Sequence, residues 1–469
     1  QEYVQEKPFD WIRGYHVGGK SLLWARQVQR WSDHDFTGPA RDGFAVDWPI
    51  RYADIAPWYS HVEKFIGVSG NRDGNAAMPD GEFLPAFELN AVEQMIQKKL
   101  PSKYKDRQVI AGRCAHITDP QPIHIEQGRT KCQNRTMCQR GCPFGGYFSS
   151  NASTLPWAAK TGNLTIRPNS IVESIIYSED QQKATGVRII DAETQKTSEY
   201  FAKVIFVNAS TIASNQILLN SKSKRFPNGL GNDSGLLGKY IAFHNYLGSI
   251  SASIEGFEDM YYYGRRPTQP IIPNFRNVKR QEMDFLRGYA SFFGAYRGRG
   301  GSSEMQVGGD FKDSLSEVGG WGIGMMMQGE TIPKEENHVR LSPDLKDKFG
   351  MAQLIFHVGY DDNDQKSMQD FLDQGAEMLD YIGAKNISQH NSKQNPGLDI
   401  HEMGGARMGS DPKTSILNKW NQVHECKNVF VTDGASMTST GTQNPSLTFM
   451  ALTARAANFA MDEMKKGNL

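Results

Sequence analysis

Two residues with the potential for proton chemistry lie near the end of the chain. His401 is closely followed by a pair of adjacent glycines, and Asn444 stands before a proline where a helix is predicted to begin. A histidine exchanges a proton near neutral pH, and the free N–H groups at a helix start suit an electron-rich ring edge or a phosphate. Taken alone, each residue is more often structural, His401 as a buried histidine and Asn444 as a helix cap. Whether the two residues have a chemical role therefore has to be judged from the surrounding sequence.

Strand and helix patterns on both sides of a β-rich centre predict the scaffold that holds these residues. A buried strand at 203–208 runs into a helix at 211–219, and the tail repeats this order with a strand at 428–432 and a helix at 446–463. Other strands are predicted at 163–168, 170–177, 184–191 and 198–201, and one further helix at about 365–382. The sequence therefore predicts an α/β (α+β) fold, with a Rossmann-like dinucleotide-binding domain assembled from separated segments and an interleaved substrate domain on an antiparallel sheet.

The same pattern divides the chain into three stretches. Residues 1–244 are predicted to supply segments of the nucleotide-binding domain, with a loop excursion at 70–150. Residues 245–400 are predicted to form mainly the substrate-binding domain. Residues 401–469 return to the nucleotide-binding domain and carry the histidine and the asparagine.

Composition and charge limit the kinds of partner. The chain has 469 residues, of which 38% are hydrophobic, so a sizeable packed core is expected. Lys+Arg and Asp+Glu both total 52, and this balance argues against nucleic acid or an anionic membrane surface as the main partner. No apolar run approaches the ~20 residues of a transmembrane helix. The first residue is Gln and no leader pattern follows it, so we expect the N-terminus to be processed or truncated.

Four stretches of the sequence agree with one enzyme family. His401 precedes a Gly-Gly-Ala-Arg-Met-Gly segment and Asn444 opens an Asn-Pro-Ser-Leu-Thr segment, and together they resemble the C-terminal signature of the glucose–methanol–choline (GMC) oxidoreductases. Val17–Trp24 is similar to the flavin-facing Gly-Gly segment of that family, and Gly231–His244 resembles the end of its nucleotide-binding part. Pro333–Asn337 matches a stretch of the substrate domain in pyranose oxidases. Within the family, the sequence most resembles pyranose 2-oxidase-like enzymes and bacterial FAD-dependent sugar dehydrogenases.

The resemblance implies a catalytic role for the two residues of the tail. His401 would take or orient the hydroxyl proton of a CH–OH group while hydride passes from that carbon to flavin N5, because the developing alkoxide must lose its proton. Asn444 would donate a hydrogen bond that positions the hydroxyl and stabilises the developing oxyanion. The flavin would supply the redox chemistry, and the protein would supply geometry and proton transfer.

The resemblance also implies which residues surround an FAD cofactor. The isoalloxazine would be lined by Gly18, Gly19, Ser21 and Leu22. The ribityl chain and the pyrimidine edge would be bordered by Asp433, Gly434, Gln443 and Pro445, and the adenosine part by Asn208, Ala209 and Ser210. Leu23 stands where pyranose oxidases attach the flavin to a histidine, so we expect the FAD to be bound non-covalently.

Two further departures from the family concern the nucleotide site. The Gly-x-Gly-x-x-Gly fingerprint does not occur upstream of the Gly-Gly segment. We therefore expect the first βαβ unit of the domain to be missing from this chain, and its adenine and pyrophosphate site to be incomplete. Ser210 stands where many relatives carry glycine, which would tighten the nucleotide site slightly.

A group of cysteines raises a separate question. Cys132, Cys138 and Cys142 lie close together, with a proline after the last, and they resemble the segment that holds a three-iron cluster in certain periplasmic sugar dehydrogenases. Thiolates at such spacing can reach one iron–sulfur cluster. The alternative is a loop with free or disulfide-paired thiols, in which Cys114 takes part. In either case the segment favours a dehydrogenase with a separate electron acceptor, because pyranose oxidase lacks it.

These observations favour an FAD-dependent dehydrogenase that oxidises a CH–OH group of a sugar or glycoside to the keto sugar. The electrons would pass to a small-molecule acceptor or to a cytochrome or quinone partner, and the protein would be periplasmic or secreted. Two alternatives stay open, an oxygen-using pyranose oxidase and a catalytically inactive or cofactor-free scaffold fragment. The presence of both His401 and Asn444 argues against the scaffold, because a scaffold does not need both.

Overall fold

The computed structural model describes residues 2–135, 137–260, 266–299 and 307–469. Its α-helices are α1 (Asp33–Asp42), α2 (Tyr52–Ile66), α3 (Ala91–Lys103), α4 (Pro122–Glu126), α5 (Thr154–Ala159), α6 (Thr211–Asn220), α7 (Gly309–Ser314), α8 (Asp362–Ile382) and α9 (Ser446–Lys465). Its strands are β1 (Val4–Gln5), β2 (Ser170–Ser178), β3 (Lys183–Asp191), β4 (Thr197–Phe201), β5 (Ile205–Val207), β6 (Lys239–Ala242), β7 (His244–Asn245), β8 (Gly248–Ile254), β9 (Ile271–Ile272), β10 (Tyr289–Arg299), β11 (Val318–Glu330), β12 (His338–Lys346), β13 (Ala352–His357), β14 (Lys385–Asn391), β15 (Met403–Gly405), β16 (Gln422–Val423) and β17 (Cys426–Val431). Short 3-10 turns occur at Gly19–Leu22, Cys138–Arg140 and Gly434–Ser436. Among the helices within the described ranges, none combines the length and the apolar character needed to cross a bilayer.

An antiparallel sheet occupies the middle of the chain. Its strands follow the order β14-β8-β11-β10-β9, and β7 pairs with the end of β11. β10 and β11 are paired over most of their length, with Phe293 opposite Met325. Helix α8 packs against this sheet, and the two come very close, since a Cβ on Gly375 would lie 2.3 Å from Ile250 Cδ1.

Helix α8 illustrates how the sequence sets the limits of an element. Asp361 accepts a hydrogen bond from the Asp364 N–H at 3.0 Å, and the Asp364 carboxylate accepts from the Asp361 N–H at 2.9 Å, which is a reciprocal helix cap. Gly383 ends the helix with a φ of 94°, a conformation that glycine adopts at little cost. Its buried apolar residues recur at helical spacing and form the stripe that faces the sheet, namely Met368, Phe371, Leu372, Met378, Leu379 and Ile382.

A parallel strand pair lies in the part of the chain predicted to bind a nucleotide. β5 and β17 run parallel with Ile205 opposite Val429, and β16 pairs with the other edge of β17. Asn208, just after β5, accepts hydrogen bonds from the N–H and the hydroxyl of Thr432, just after β17, at 3.3 and 2.8 Å. The carboxyl ends of the two strands therefore meet at one edge, which is where ligands bind in open α/β sheets.

The two main hydrophobic cores do not follow the order of the chain. One core joins α2, α6 and α9 to β5 and β17, and it also takes in β12 and β13. The other core gathers the antiparallel sheet, α8 and α3. Segment 338–357 thus packs with the nucleotide-binding part, while α3, from the excursion at 70–150, packs with the antiparallel sheet. The two parts are interleaved in space as well as in sequence.

One predicted strand does not form. Residues 163–168 are exposed and have no regular structure, although Leu164 and Ile166 alternate with polar residues as in a strand. Among the described residues, no neighbouring strand pairs with this segment. A strand depends on lateral partners, so periodicity alone was not sufficient here.

Candidate active site

A cavity of about 1080 Å³ is lined by residues from both the parallel pair and the antiparallel sheet. Ligand pockets typically measure about 300–1,000 Å³, so this cavity has room for a cofactor ring system and a substrate. Most of the predicted site residues line it: Gly18, Gly19, Ser21, Asn208, Ala209, Ser210, His401, Asp433, Gly434, Asn444 and Pro445.

Two predicted site residues, Leu22 and Gln443, lie outside the cavity lining. Gln443 is buried behind the wall, where its Nε2 donates to Asp35 Oδ2 at 3.1 Å and to the Ala77 carbonyl at 2.6 Å. Leu22 ends the glycine turn, and its carbonyl accepts a hydrogen bond from Arg26 at 3.0 Å. Both residues therefore support the wall from behind.

His401 and Asn444 come together at one point of the cavity wall. Asn444 Nδ2 lies 3.3 Å from His401 Nε2. The Asn444 N–H donates to Gln29 Oε1 at 3.1 Å, which holds the residue just before α9. Burial keeps the pKa of His401 well below its ordinary value, and the charge of Lys20 lowers it further. The imidazole is therefore neutral at physiological pH, as a proton acceptor must be.

The other ring nitrogen of the half-buried His401 contacts another histidine, which is fully buried. His401 Nδ1 lies 2.8 Å from His244 Nδ1, and the rings are nearly perpendicular, at 86°. His244 Nε2 lies 2.7 Å from the Gly441 carbonyl, and the backbone N–H of His244 donates to Asp399 Oδ2 at 2.8 Å. Burial lowers the pKa of His244 to about 4 and raises that of Asp399 to about 7. We call His244, Asp399, His401 and Asn444 the histidine cluster.

The glycine turn forms a second wall of the cavity. Gly18 has a φ of 98°, and a Cβ there would lie 2.5 Å from Asn151 Oδ1, so glycine is required twice over. Ser21 Oγ donates to the Gly18 carbonyl at 2.6 Å and accepts from the Ser150 N–H at 3.0 Å. In contrast, a Cβ on Gly19 would meet nothing nearer than 4.0 Å. The turn is therefore anchored on one side and leaves open space on the other.

The edge of the parallel strands forms the third wall. Asn208 and Ala209 are exposed although they follow a buried strand, and Ser210 has a φ of 74°, which favours glycine. Asp433 uses both carboxylate oxygens, accepting from the Ser214 hydroxyl and from the Ala435 N–H. An uncovered strand edge, an open glycine turn and the start of α9 together fit a flat ring system linked to a nucleotide.

The fourth wall comes from the antiparallel sheet, and its residues were not among the predicted site residues. Tyr246, Phe292 and Met326 supply apolar surface, and several carboxamides supply neutral polar groups. Gln328 Nε2 donates to the Thr442 carbonyl at 2.9 Å and its Oε1 accepts from the Tyr246 hydroxyl, which fixes the tyrosine. These residues follow the period of strands, so nothing local marked them as site residues.

Two family models for GMC oxidoreductases match the chain, one over residues 3–244 and the other over residues 333–453. The chain belongs to the GMC oxidoreductase family. It is 29% identical over 464 residues to 2-methyl-1,2-propanediol dehydrogenase of Mycolicibacterium austroafricanum, covering 95% of this chain and 80% of that protein. It is 26% identical over 470 residues to the fructose dehydrogenase large subunit of Gluconobacter japonicus, covering 96% of this chain and 81% of the relative.

The fold of this GMC oxidoreductase is also that of solved structures. A formate oxidase from Aspergillus oryzae superposes with a TM-score of 0.63 at 12% sequence identity, over 97% of this chain and 85% of the other. The predicted family and fold class, with a Rossmann-like FAD-binding part and an interleaved antiparallel sheet, are thereby confirmed. The chain is accordingly an oxidoreductase of the FAD type.

The cysteines of this GMC oxidoreductase do not gather as predicted. We call residues 132–142 the cysteine loop; its thiols are free, and Cys138 Sγ lies 3.8 Å from His116 Nε2. Over the part of the chain that the structure describes, three potential metal ligands come within 4.8 Å of one another at His244, Asp399 and His401, and not at the cysteines. The prediction that Cys132, Cys138 and Cys142 share one iron–sulfur cluster is therefore not supported.

Proposed function

We propose that this GMC oxidoreductase oxidises a CH–OH carbon of a sugar or glycoside to the ketone, with non-covalently bound FAD as hydride acceptor. The observation that carries the proposal is the contact between His401 Nε2 and Asn444 Nδ2, at 3.3 Å in the cavity wall. A neutral base beside a hydrogen-bond donor is the pair that removal of a hydroxyl proton requires.

The residues of the chain manage the proton and the oxygen. When bound, FAD takes the hydride that leaves the carbon. His401 Nε2 accepts the hydroxyl proton, and Asn444 Nδ2 donates to the substrate oxygen as negative charge develops on it. The C–H and O–H bonds break, the C=O double bond forms, and the proton remains on His401.

Three walls of the cavity would hold the cofactor. Gly18, Gly19 and Ser21 would face the ring system, and Asn208 and Ala209 would lie near the nucleotide. Leu23 occupies the position at which a histidine linkage would be made and cannot form one. The leucine at that position supports non-covalent binding.

The fourth wall suits a neutral polyhydroxy substrate. Beside that wall, in the segment that follows the glycine turn, Gln27 Oε1 accepts from Thr268 Oγ1 at 3.0 Å, which orients the carboxamide with its NH₂ group available to a ligand. Arg266 also lines the cavity, but Glu93 pairs with both ends of its guanidinium. Neutral donors and acceptors match hydroxyl groups, and two relatives are named for a diol and for fructose.

The same two relatives are dehydrogenases by name, which supports an electron acceptor other than oxygen. A small molecule and a cytochrome or quinone partner are the acceptors we expect. A periplasmic or secreted location stays a prediction.

The test is anaerobic reduction of the flavin. The full chain, supplied with excess FAD, is mixed with fructose, glucosides and vicinal diols while the visible absorption of the flavin is recorded. We expect bleaching with at least one of the sugars, unchanged bleaching in His390→Ala, and a loss of about 10²–10⁴ in rate in His401→Ala. His390 is the matched control, because it is exposed on β14.

Each other outcome removes a part of the proposal. No flavin band with excess FAD overturns the enzymatic function and leaves a scaffold. Bleaching at the wild-type rate in His401→Ala would show that His401 is not the base. Bleaching with diols alone replaces the sugar by a smaller substrate, and rapid oxygen consumption during turnover replaces the dehydrogenase by an oxidase.

A further inference from the structure

We propose that His244 is a positioning residue that fixes His401 in the tautomer with its proton on Nδ1, so that Nε2 keeps its lone pair and acts as an acceptor. The inference rests on the proposed role of His401 as the base. It follows from the order of donors and acceptors along one chain of hydrogen bonds, which begins at a backbone carbonyl.

The carbonyl of Gly441 fixes the first proton. A carbonyl oxygen can only accept, so His244 Nε2, 2.7 Å away, must carry a proton. A neutral imidazole has one N–H, which leaves His244 Nδ1 as an acceptor. His401 Nδ1, at 2.8 Å, must then be the donor. By the same rule His401 Nε2 has no proton, and it accepts from Asn444 Nδ2.

The neutrality on which this order depends has a physical cause. His244 is fully buried, and burial holds its pKa at about 4. If His244 were protonated as well, two N–H groups would point at each other across 2.8 Å. The carbonyl, the short contact and the burial therefore allow one arrangement of protons.

A metal ion between the two histidines is a competing explanation of the cluster. Nitrogen ligands lie about 2.0–2.1 Å from zinc, so two imidazoles on a tetrahedral ion stand about 3.3 Å apart. The observed separation between the Nδ1 atoms is 2.8 Å. That separation matches a shared proton and is too short for a shared ion.

The position of His244 is itself set by the fold. The backbone N–H of His244 donates to Asp399 Oδ2 at 2.8 Å, and His244 lies opposite Glu330 in the pairing of β7 with β11. Both ends of the imidazole also have partners. The ring therefore has little freedom to rotate, which is what a residue that selects a tautomer needs.

The consequence for catalysis is large. With the proton on Nε2, His401 would point a donor at the donor Asn444 Nδ2 and would have no lone pair for the substrate. Loss of tautomer control at a catalytic histidine can cost up to about 10⁴ in kcat. Substrate binding needs no particular tautomer, so KM should change little.

The experiment compares two substitutions of His244 in the full holoenzyme. Asn places its carbonyl oxygen about where Nδ1 stood and keeps an acceptor for His401, whereas Leu has a similar size and no acceptor. We expect kcat to fall about 100-fold or more in His244→Leu and less than about tenfold in His244→Asn, with KM within about threefold in both. His390→Asn, at an exposed position, is the control for the substitution itself.

The ¹⁵N spectrum of histidine-labelled holoenzyme supplies a readout that does not depend on turnover. The His401 signals, assigned by their absence in His401→Ala, should report Nδ1–H in the wild type and in His244→Asn, and a shift toward Nε2–H in His244→Leu. Melting temperatures identify a variant that has not folded, and the Asn variant then decides alone.

Two results overturn the inference. One is a His401 that keeps Nδ1–H in His244→Leu, and the other is an equal loss of kcat in both variants with no change of tautomer. Failure of the proposed function looks different, because an active His401→Ala variant would remove the base while leaving the tautomer measurement intact.

Discussion

The histidine cluster is assembled from separate parts of the chain, whereas the cysteine loop is one short stretch. His244, His401 and Asn444 come from distant positions, and each ring nitrogen has a partner from another segment. The cysteines are neighbours in sequence, yet their thiols do not gather within the described residues. Closeness along the chain allows many geometries, while contacts from several directions allow few.

Arg26 joins the two regions and gives the comparison a physical link. Its guanidinium donates to the carbonyls of Leu22 and Cys138 at 3.0 and 3.3 Å, and it lies 3.8 Å above the Tyr147 ring. The glycine turn of the active site and the cysteine loop therefore share one buried cation. Substitutions in each region test whether Arg26 couples the two regions or only packs between them.

The largest effect is expected at Asn444. Asn444→Ala removes the donor that faces His401 Nε2 and the developing oxyanion, so kcat should fall about 10²–10³-fold. Stopped-flow measurement of flavin reduction gives the rate. Asn458→Ala, on the exposed face of helix α9, which Asn444 precedes, should leave the rate of flavin reduction unchanged. An equal rate in both variants would show that Asn444 does not take part in the reaction.

The next largest effect is expected at Arg26. Arg26→Met loses two hydrogen bonds from a buried cation, which costs about 2 kcal/mol and should raise tryptic cleavage of the cysteine loop about 30-fold. Arg280→Met removes an arginine that is exposed and pairs only locally, and it is the matched control. A loop cleaved equally fast in the wild type and in Arg26→Met would show that Arg26 does not hold it.

The pH profile of kcat/KM probes His401 in the histidine cluster. His401 accepts a proton only while neutral, so kcat/KM falls as the pH drops through its pKa. Burial lowers that pKa, which moves the loss to lower pH. Between pH 7.5 and pH 5.5 we therefore expect the titration of His401 to lower kcat/KM by less than about twofold, where a histidine with the ordinary pKa near 6.5 would lower it about tenfold. Burial raises the pKa of Asp399 to about 7, within this range, so the profile is measured in Asp399→Asn as well. A tenfold loss that remains in Asp399→Asn would contradict a base that stays neutral.

The smallest effect is expected in the cysteine loop. Cys132→Ser and Cys142→Ser change half-buried thiols that do not gather at one site, so the rate of flavin reduction should change less than about twofold. Iron and acid-labile sulfide are measured on the same samples. Stoichiometric iron that is lost on either substitution would restore the iron–sulfur prediction and make the two regions parts of one electron path.

Sequence patterns alone were enough to identify much of the protein. The strand–helix units predicted at 203–219 and 428–463 and the helix predicted at about 365–382 all form. Such elements depend on residues within one or two turns of one another, and local spacing records them directly. The pair His401 and Asn444 was predicted from the resemblance to the family.

Other properties were decided only by the tertiary structure. The partner of His401 Nδ1 is 157 residues away, and the fourth wall of the cavity comes from strands whose period shows only burial. Within the described ranges, the segment 163–168 has no strand partner. The thiols, in contrast, are close in sequence and still separate in space. Contacts between distant segments depend on how whole elements pack, and the spacing of residues within one element carries no record of that packing.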